Sequence, residues 1–314
     1  MEQKRLSGGL EASEIALITV RYKDTSGRPR LFRTICKRLV GPMSREAAVY
    51  ELLNDQHDIS IAPRLILVER IDPDDVILCL EAIRRVSAWP WRNLLTGREL
   101  LQRLALFHNS AKDWAAEFPQ WDYDSDLCSM AEGAWTSLDR CRLYPDLHAL
   151  ARERAPLKRM VLALPKMRRQ LLSEAALGCG PIHGDVHPGN ALARRRGGEA
   201  QPVLIDWGRA RTGSPLEDVS SWLQSLGYWE DSARRRHDTL LMSYLSALGR
   251  DHKLTSNIRA AYWLAGASNA LAGALLYHLG LAQNERESEQ RRTQAIQAAR
   301  DWLRIIRRAD SWWT

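Results

Sequence analysis

Residues 181–190 read Pro-Ile-His-Gly-Asp-Val-His-Pro-Gly-Asn, and residues 203–208 read Val-Leu-Ile-Asp-Trp-Gly. This pair of segments constrains the chain more than any other feature. Asp185 precedes Asn190 by five residues, and Asp206 follows a short apolar run. Residues 194–201 between the two segments are charged and contain Gly, as a hairpin turn does. The order carboxylate, amide, carboxylate suits phosphoryl transfer. One acid orients an attacking hydroxyl, while an amide oxygen and a second carboxylate hold Mg²⁺ against phosphate oxygens.

The spacing matches the protein-kinase loop H-R-D-x-x-x-x-N, with Asp206-Trp207-Gly208 standing where D-F-G stands. Gly after the first His and His187 two residues after the Asp give a variant that resembles the aminoglycoside phosphotransferase and choline kinase family. The resemblance implies a bilobal, protein-kinase-like α+β fold. It has a small antiparallel-sheet N-lobe with one key helix and a large, mainly helical C-lobe. It implies ATP, or GTP, and Mg²⁺ as cofactors, with Asp185 as the catalytic group and Asn190 and Asp206 as metal ligands. Asp218 matches a family position that braces the catalytic region, and is read as structural.

The remainder of the chain is compatible with that expectation. Residues 14–22 and 31–40 are rich in β-branched and apolar residues and flank a turn at Ser26-Gly27. Residues 44–54 have a helical pattern, and 64–69 and 76–83 are two further strands. The division expected is therefore a nucleotide-binding lobe over 1–83 and a catalytic, acceptor-binding helical lobe over 84–314.

Within the first lobe, Lys37 is the candidate phosphate lysine. It follows Ile35-Cys36 on a strand, and alternation puts it on a mainly apolar face with Leu31, Ile35 and Leu39. Such a lysine needs a partner, and Glu46 on the next helix supplies one. A register error of one would make Arg38 the phosphate residue instead. Gly8 and Gly9 lie in a loop where the backbone can approach phosphates closely, and Ser13 is a further candidate contact. By resemblance, the backbone from Glu81 to Ile83 holds the adenine edge.

Several classes are disfavoured. Hydrophobic residues make up 45% and charged residues 26% of the 314, the balance of a globular protein. The net charge of +7 suits an anionic partner, but the basic residues are scattered and carry no nucleic-acid signature. No nucleic acid is expected as a partner. The five cysteines are widely spaced and form no C-x-x-C pair, so reduced thiols in a cytoplasmic protein are expected. Residues 260–282 carry no Asp, Glu, Lys or Arg and would reach across a bilayer, yet Ala, Gly, Ser268, Asn269 and His278 favour a buried core helix and no membrane partner. His183-x-Asp185-x-His187 is an alternative metal pattern, but no further His-rich cluster supports it.

The acceptor is the open point. Residues 113–146 hold eight acids and two bases together with Trp114, Trp121, Tyr123, Trp135 and Tyr144. Acids beside aromatic faces suit an organic cation or an amino-alcohol. A solvated acidic face with buried tryptophans is the plainer reading. Residues 253–314, with nine bases and five acids, argue against a polycation and hence against antibiotic resistance. The expected activity is transfer of the ATP γ-phosphoryl group to a hydroxyl of a small molecule. The alternatives are a nucleotide-binding pseudokinase and a protein kinase; the lack of an A-P-E segment argues against the latter.

Overall fold

The structure is a computed structural model. It describes residues 2–6, 12–55, 61–83, 94–119, 121–196, 199–229, 236–249 and 254–313. The chain forms two compact units, Met1–Pro119 with His183–Thr212, and Gln120–Ile182 with Gly213–Thr314. The expected division at 83/84 follows chain order, whereas these packing units interleave. The segment carrying Asp185, Asn190 and Asp206 packs with the N-terminal sheet.

The first unit is built on a five-stranded antiparallel sheet in the order β1-β2-β3-β5-β4. The strands are β1 (Glu2–Arg5), β2 (Glu14–Lys23), β3 (Pro29–Val40), β4 (Leu65–Asp72) and β5 (Asp75–Glu81), with α1 (Arg45–Asp55) between β3 and β4. Pairing in β3 and β5 sets Leu39 opposite Val76, Lys37 opposite Leu78 and Ile35 opposite Leu80. Leu39, Val76, Leu78 and Leu80 are all buried. The period of two thus gives this sheet one apolar inner face, and Lys37 is on it. The strand β1 was not expected. Its sequence, Glu-Gln-Lys-Arg, is exposed throughout and has no alternation, so only pairing with β2 reveals it.

One cysteine expectation is overturned. Cys36 and Cys79 face each other across the β3–β5 ladder and are joined by a disulfide spanning 43 residues of sequence. Sequence spacing cannot show such a pair, because strand register brings it together. Cys128, Cys141 and Cys179 are free thiols.

The helix α2 (Leu94–Ser110) and the hairpin β6 (Ala191–Arg196) and β7 (Glu199–Leu204) complete this unit. The hairpin pairs Ala191 with Leu204 and Leu192 with Val203. It joins the sheet edge through a bond from the Leu204 N–H to the Ile61 carbonyl at 2.7 Å.

The second unit is helical. Its main elements are α3 (Tyr123–Arg140), α4 (Arg154–Leu171), α5 (Pro215–Trp229), α6 (His237–Ala247), α7 (Ser256–Asn269), α8 (Leu275–Gln283) and α9 (Glu289–Trp313). Leu127, Leu138, Met160, Leu164, Leu264, Leu271, Leu279 and Leu303 form part of its continuous core. The charge-free stretch 260–282 is thus core, but not one straight helix. A π-helical turn at Ala270–Ala274 interrupts it, with Gly273 at φ 121°. Among the described residues, Ser256–Gln283 is one helical stretch long and apolar enough to cross a membrane.

Four of the eight acids in 113–146 are engaged within the helical unit. Asp122 caps α3 by accepting the Ser125 N–H, Asp124 pairs with Arg168, Asp139 with Arg142 and Arg154, and Asp146 with Arg292. Those four serve helix ends and helix contacts. The helix α4 ends at Leu171, and Leu177 beyond it lies in the left-handed region at φ 76°.

Candidate active site

Lys37 stands at the centre of the site. Its Nζ donates to Glu46 Oε1 at 2.9 Å and Oε2 at 3.2 Å, and to Asp206 Oδ1 at 2.8 Å. Lys37 and Glu46 are buried, whereas the Asp206 side chain is 31% exposed. Burial alone would pull the lysine down, but the two carboxylates outweigh it and hold the ammonium well above its ordinary range. The register question is thereby answered: Arg38 points the other way and pairs with Asp75.

Glu46 has a second bond, accepting the Trp207 backbone N–H at 3.2 Å. Arg45, the residue before it, donates Nε to the Gly208 carbonyl at 2.9 Å. The helix α1 therefore grips the Asp206-Trp207-Gly208 turn directly. Asp206 itself is held at φ 68° and ψ 66°, a left-handed conformation that costs a non-glycine residue about 1–3 kcal/mol. Strain of that kind persists only where the surroundings over-determine it.

The loop at 183–190 is ordered by its own polar groups. His183 Nδ1 accepts the Asp185 N–H at 3.2 Å, so its Nε2 carries the proton and donates to the Ile205 carbonyl at 3.0 Å. The ring is buried, with its centroid 4.5 Å from that of Trp207, and Trp207 in turn meets Phe107 of α2 edge-on at 5.3 Å. Edge-on pairs of this kind add about 0.5–1.5 kcal/mol beyond burial. Both nitrogens of His183 are thus engaged in holding the loop, which leaves it no role as a metal ligand. Among the described residues, no group of three or more His, Cys, Asp or Glu side chains is arranged to hold a metal.

Gly184 is required by space. At φ 81°, a Cβ there would lie 2.3 Å from the Arg209 carbonyl oxygen. That contact explains a Gly where protein kinases carry Arg.

Asn190 donates Nδ2 to the Asp185 carbonyl at 3.0 Å and to Asp185 Oδ2 at 3.2 Å. These bonds fix the amide orientation and leave its oxygen as the outward acceptor. Asp185 is half-buried, with His187 Nε2 at 3.6 Å from Oδ2. Burial would raise its carboxyl, yet His187, with His183 and Arg209 beyond it, holds it below the usual carboxylate value. His187 is raised in turn: burial opposes its charge, and Asp185 and Asp206 overcome that. The other ring nitrogen of His187 accepts the Gly189 N–H at 3.0 Å.

The remaining candidates are less well placed. Gly8 and Gly9 lie outside the described residues. Ser13 gives both its N–H and its hydroxyl to the Arg38 carbonyl, at 3.1 and 3.0 Å, so neither donor is left for a phosphate in this state. The Glu81 carboxylate accepts from Arg194 at 2.8 Å and from the Arg64 N–H at 3.2 Å, and the Glu81 N–H goes to the Arg64 carbonyl at 2.9 Å. Glu81 thus ties the end of β5 to the hairpin. Ile83 is the last described residue of that segment. Sequence reading missed Arg45, Arg194 and the ring stack of His183 and Trp207; only the fold brings these together.

The small sheet with one helix and the mainly helical unit together are a protein-kinase-like fold, the fold of aminoglycoside phosphotransferases and choline kinases. The chain belongs to the phosphotransferase enzyme family APH, whose family description matches residues 2–264. Spectinomycin phosphotransferase APH(9)-Ia, solved with ADP and spectinomycin, is 12% identical with a TM-score of 0.62, over 99% of this chain and 93% of that one. A choline/ethanolamine kinase family protein from Mesorhizobium loti is 16% identical with a TM-score of 0.55, over 98% and 93%. A serine/threonine-protein kinase, PkaA of Streptomyces coelicolor, is 39% identical over 67 residues, which are 21% of this chain and only 12% of that kinase. The chain is thus a member of a family of phosphotransferase enzymes.

Proposed function

We propose that this enzyme transfers the γ-phosphoryl group of ATP, or GTP, to a hydroxyl of a small molecule. The observation that carries the reading is the cluster of Lys37, Glu46 and Asp206 beside the bonded pair Asp185 and Asn190. Lys37 binds phosphate oxygens, and Glu46 keeps its ammonium in place. Asp185 accepts a hydrogen bond from the acceptor hydroxyl and takes its proton as the phosphoryl group leaves the nucleotide. Its lowered pKa keeps it ionised and ready to do so at neutral pH.

The donor set fits a hard divalent cation. The amide oxygen of Asn190 and the Asp206 oxygen not bonded to Lys37 are oxygen ligands of the kind Mg²⁺ takes. When bound, Mg²⁺ supplies positive charge to the transferring phosphates. The backbone of Glu81–Ile83 supports the base, and Gly8, Gly9 and Ser13 are the candidate phosphate contacts, Ser13 once it exchanges its Arg38 contact.

The acceptor class we favour is an amino-alcohol or other organic cation. Support comes from the relatives, one solved with spectinomycin and one named for choline and ethanolamine. The acidic stretch supports it less, because half of its acids already bind neighbouring groups of the protein. The test is ADP release in Mg²⁺-ATP with panels of amino-alcohols, quaternary-ammonium alcohols and aminoglycosides, with Asp185→Asn as the blank. Release above the blank with one panel supports the reading. No release with any panel, combined with no nucleotide binding, overturns it.

A further inference from the structure

Arg194 lies on β6 with 11% of its side chain exposed, whereas its neighbour Arg195 is exposed. A guanidinium drawn in this far needs acceptors, and a single nitrogen of it meets two. Nη2 donates to the Ala62 carbonyl at 2.7 Å and to Glu81 Oε2 at 2.8 Å. The two hydrogens of that nitrogen are thus divided between two separate segments. Glu81 Oε2 also accepts the Arg64 N–H at 3.2 Å. Residues 61–64 and the end of β5 therefore close on each other around the guanidinium.

The hairpin that carries Arg194 has the two candidate metal ligands at its ends. Asn190 immediately precedes β6, and Asp206 follows β7 by two residues. The Asn190 carbonyl accepts the Ile205 N–H at 2.9 Å, which holds those ends together. On the other side, β5 leads into the backbone assigned to the base, Glu81–Ile83. Arg194 thus connects the hairpin of the metal ligands to the strand end of the base. A nucleotide is held at both its base and its phosphates, and the two ends reinforce each other only when the site's spacing matches the ligand's.

We propose that Arg194 is a positioning residue that sets the spacing between the base end and the phosphate end of the nucleotide site, acting through Glu81 and residues 61–64. The inference rests on the reading of Glu81–Ile83 as the base support and of Asn190 and Asp206 as metal ligands. Arg194 itself meets neither base nor phosphate. Bracing of the fold alone would affect every ligand of the site equally, whereas a spacing role affects only ligands that use both ends.

The test is Arg194→Met in the full chain, with calorimetric titration of two probes in Mg²⁺. AMP-PNP uses both ends of the site, and inorganic tripolyphosphate uses the phosphate end alone. The expected result is AMP-PNP binding weakened about tenfold, the order of one charge-assisted hydrogen bond, with tripolyphosphate binding within about twofold of the parent. Glu81→Gln keeps an acceptor without the charge, so it should weaken AMP-PNP by less and show the same split between probes. The double variant should bind AMP-PNP no more weakly than Arg194→Met, because the two side chains act as one pair. Unchanged AMP-PNP binding in Arg194→Met overturns the inference. Equal losses for both probes overturn it too, since Arg194 would then serve the fold as a whole, and so do additive losses in the double variant. If Arg194→Met does not fold, the split between probes in Glu81→Gln decides alone. A parent protein that binds tripolyphosphate as tightly as AMP-PNP overturns the reading of Glu81–Ile83 itself, and this inference with it.

Discussion

Each compact unit buries a basic side chain between two carboxylates, and the two clusters differ in what surrounds them. In the helical unit, Arg168 donates to Glu217 at 2.7 Å and to Asp124 at 2.9 Å, lies near Ser268, and stacks its guanidinium 5.2 Å from the centre of the Tyr123 ring. Glu217 is fully enclosed and also accepts the Ser214 N–H. In the first unit, Lys37 is also buried; each cluster has one partner open to solvent, Asp124 at 58% and Asp206 at 31%, but Asp206 sits on a left-handed, strained backbone. The guanidinium fork is fixed by several planar contacts, while an ammonium can trade one oxygen for another. The arginine cluster, fixed by planar contacts on several helices, braces them; the lysine cluster, held by a point charge beside a strained turn, can take a ligand.

That contrast can be broken by substitution. The largest effect should come from Asp185→Asn, which should lower kcat about 10³-fold with nucleotide affinity unchanged, as measured by ADP release and by calorimetry. A comparable loss of nucleotide binding would show that Asp185 shapes the site rather than handling the acceptor. Arg168→Met should lower unfolding free energy by about 3–5 kcal/mol in urea, because the buried Glu217 carboxylate loses its cation. Lys37→Met takes the cation from the buried Glu46 and should also lower stability, but it should in addition lose nucleotide affinity, which Arg168→Met should not. If Lys37→Met unfolds the protein and Arg168→Met does not, the contrast is inverted.

The disulfide offers a smaller effect within the first unit. Replacing Cys36 and Cys79 by Ser should cost about 2–4 kcal/mol, and reductant should have the same effect on the parent protein. Equal urea midpoints with and without reductant would show that the bond contributes nothing.

The smallest effect is in pH. Asp185 has a folded-state pKa below its unfolded value, so its ionisation supports folding above about pH 4 and that support fades as pH falls through the lowered value. His187 is raised, so its contribution is present below about pH 6.5 and fades as pH rises through the folded value. Removing His187 leaves burial of Asp185 less opposed. His187→Ala should therefore move the acid limb of kcat/KM to higher pH, and an unmoved limb would separate the two side chains.

The features that could be read from sequence were those held in short, regular patterns. Alternation along 31–40 put Lys37 on the inner face, and the spacing of Asp185, Asn190 and Asp206 survived intact. What could not be read depends on register or on contacts between distant segments. Cys36 meets Cys79 only because β3 and β5 pair in one register. The arginine partners of Asp139, Asp124 and Asp146, namely Arg154, Arg168 and Arg292, lie far along the chain, so the plainer reading of a solvated acidic face did not include them. Residues 2–5 have no apolar face and became a strand through pairing alone.

The central claim is that Lys37, Glu46 and Asp206 form the seat of a metal-bound nucleotide. Calorimetric titration of AMP-PNP with Mg²⁺ into the parent protein and into Asp206→Asn tests it most directly. The account expects one site in the parent, weakened when Mg²⁺ is removed by chelation, and no such metal dependence in Asp206→Asn. Binding to both proteins with the same affinity and the same response to Mg²⁺ would contradict it.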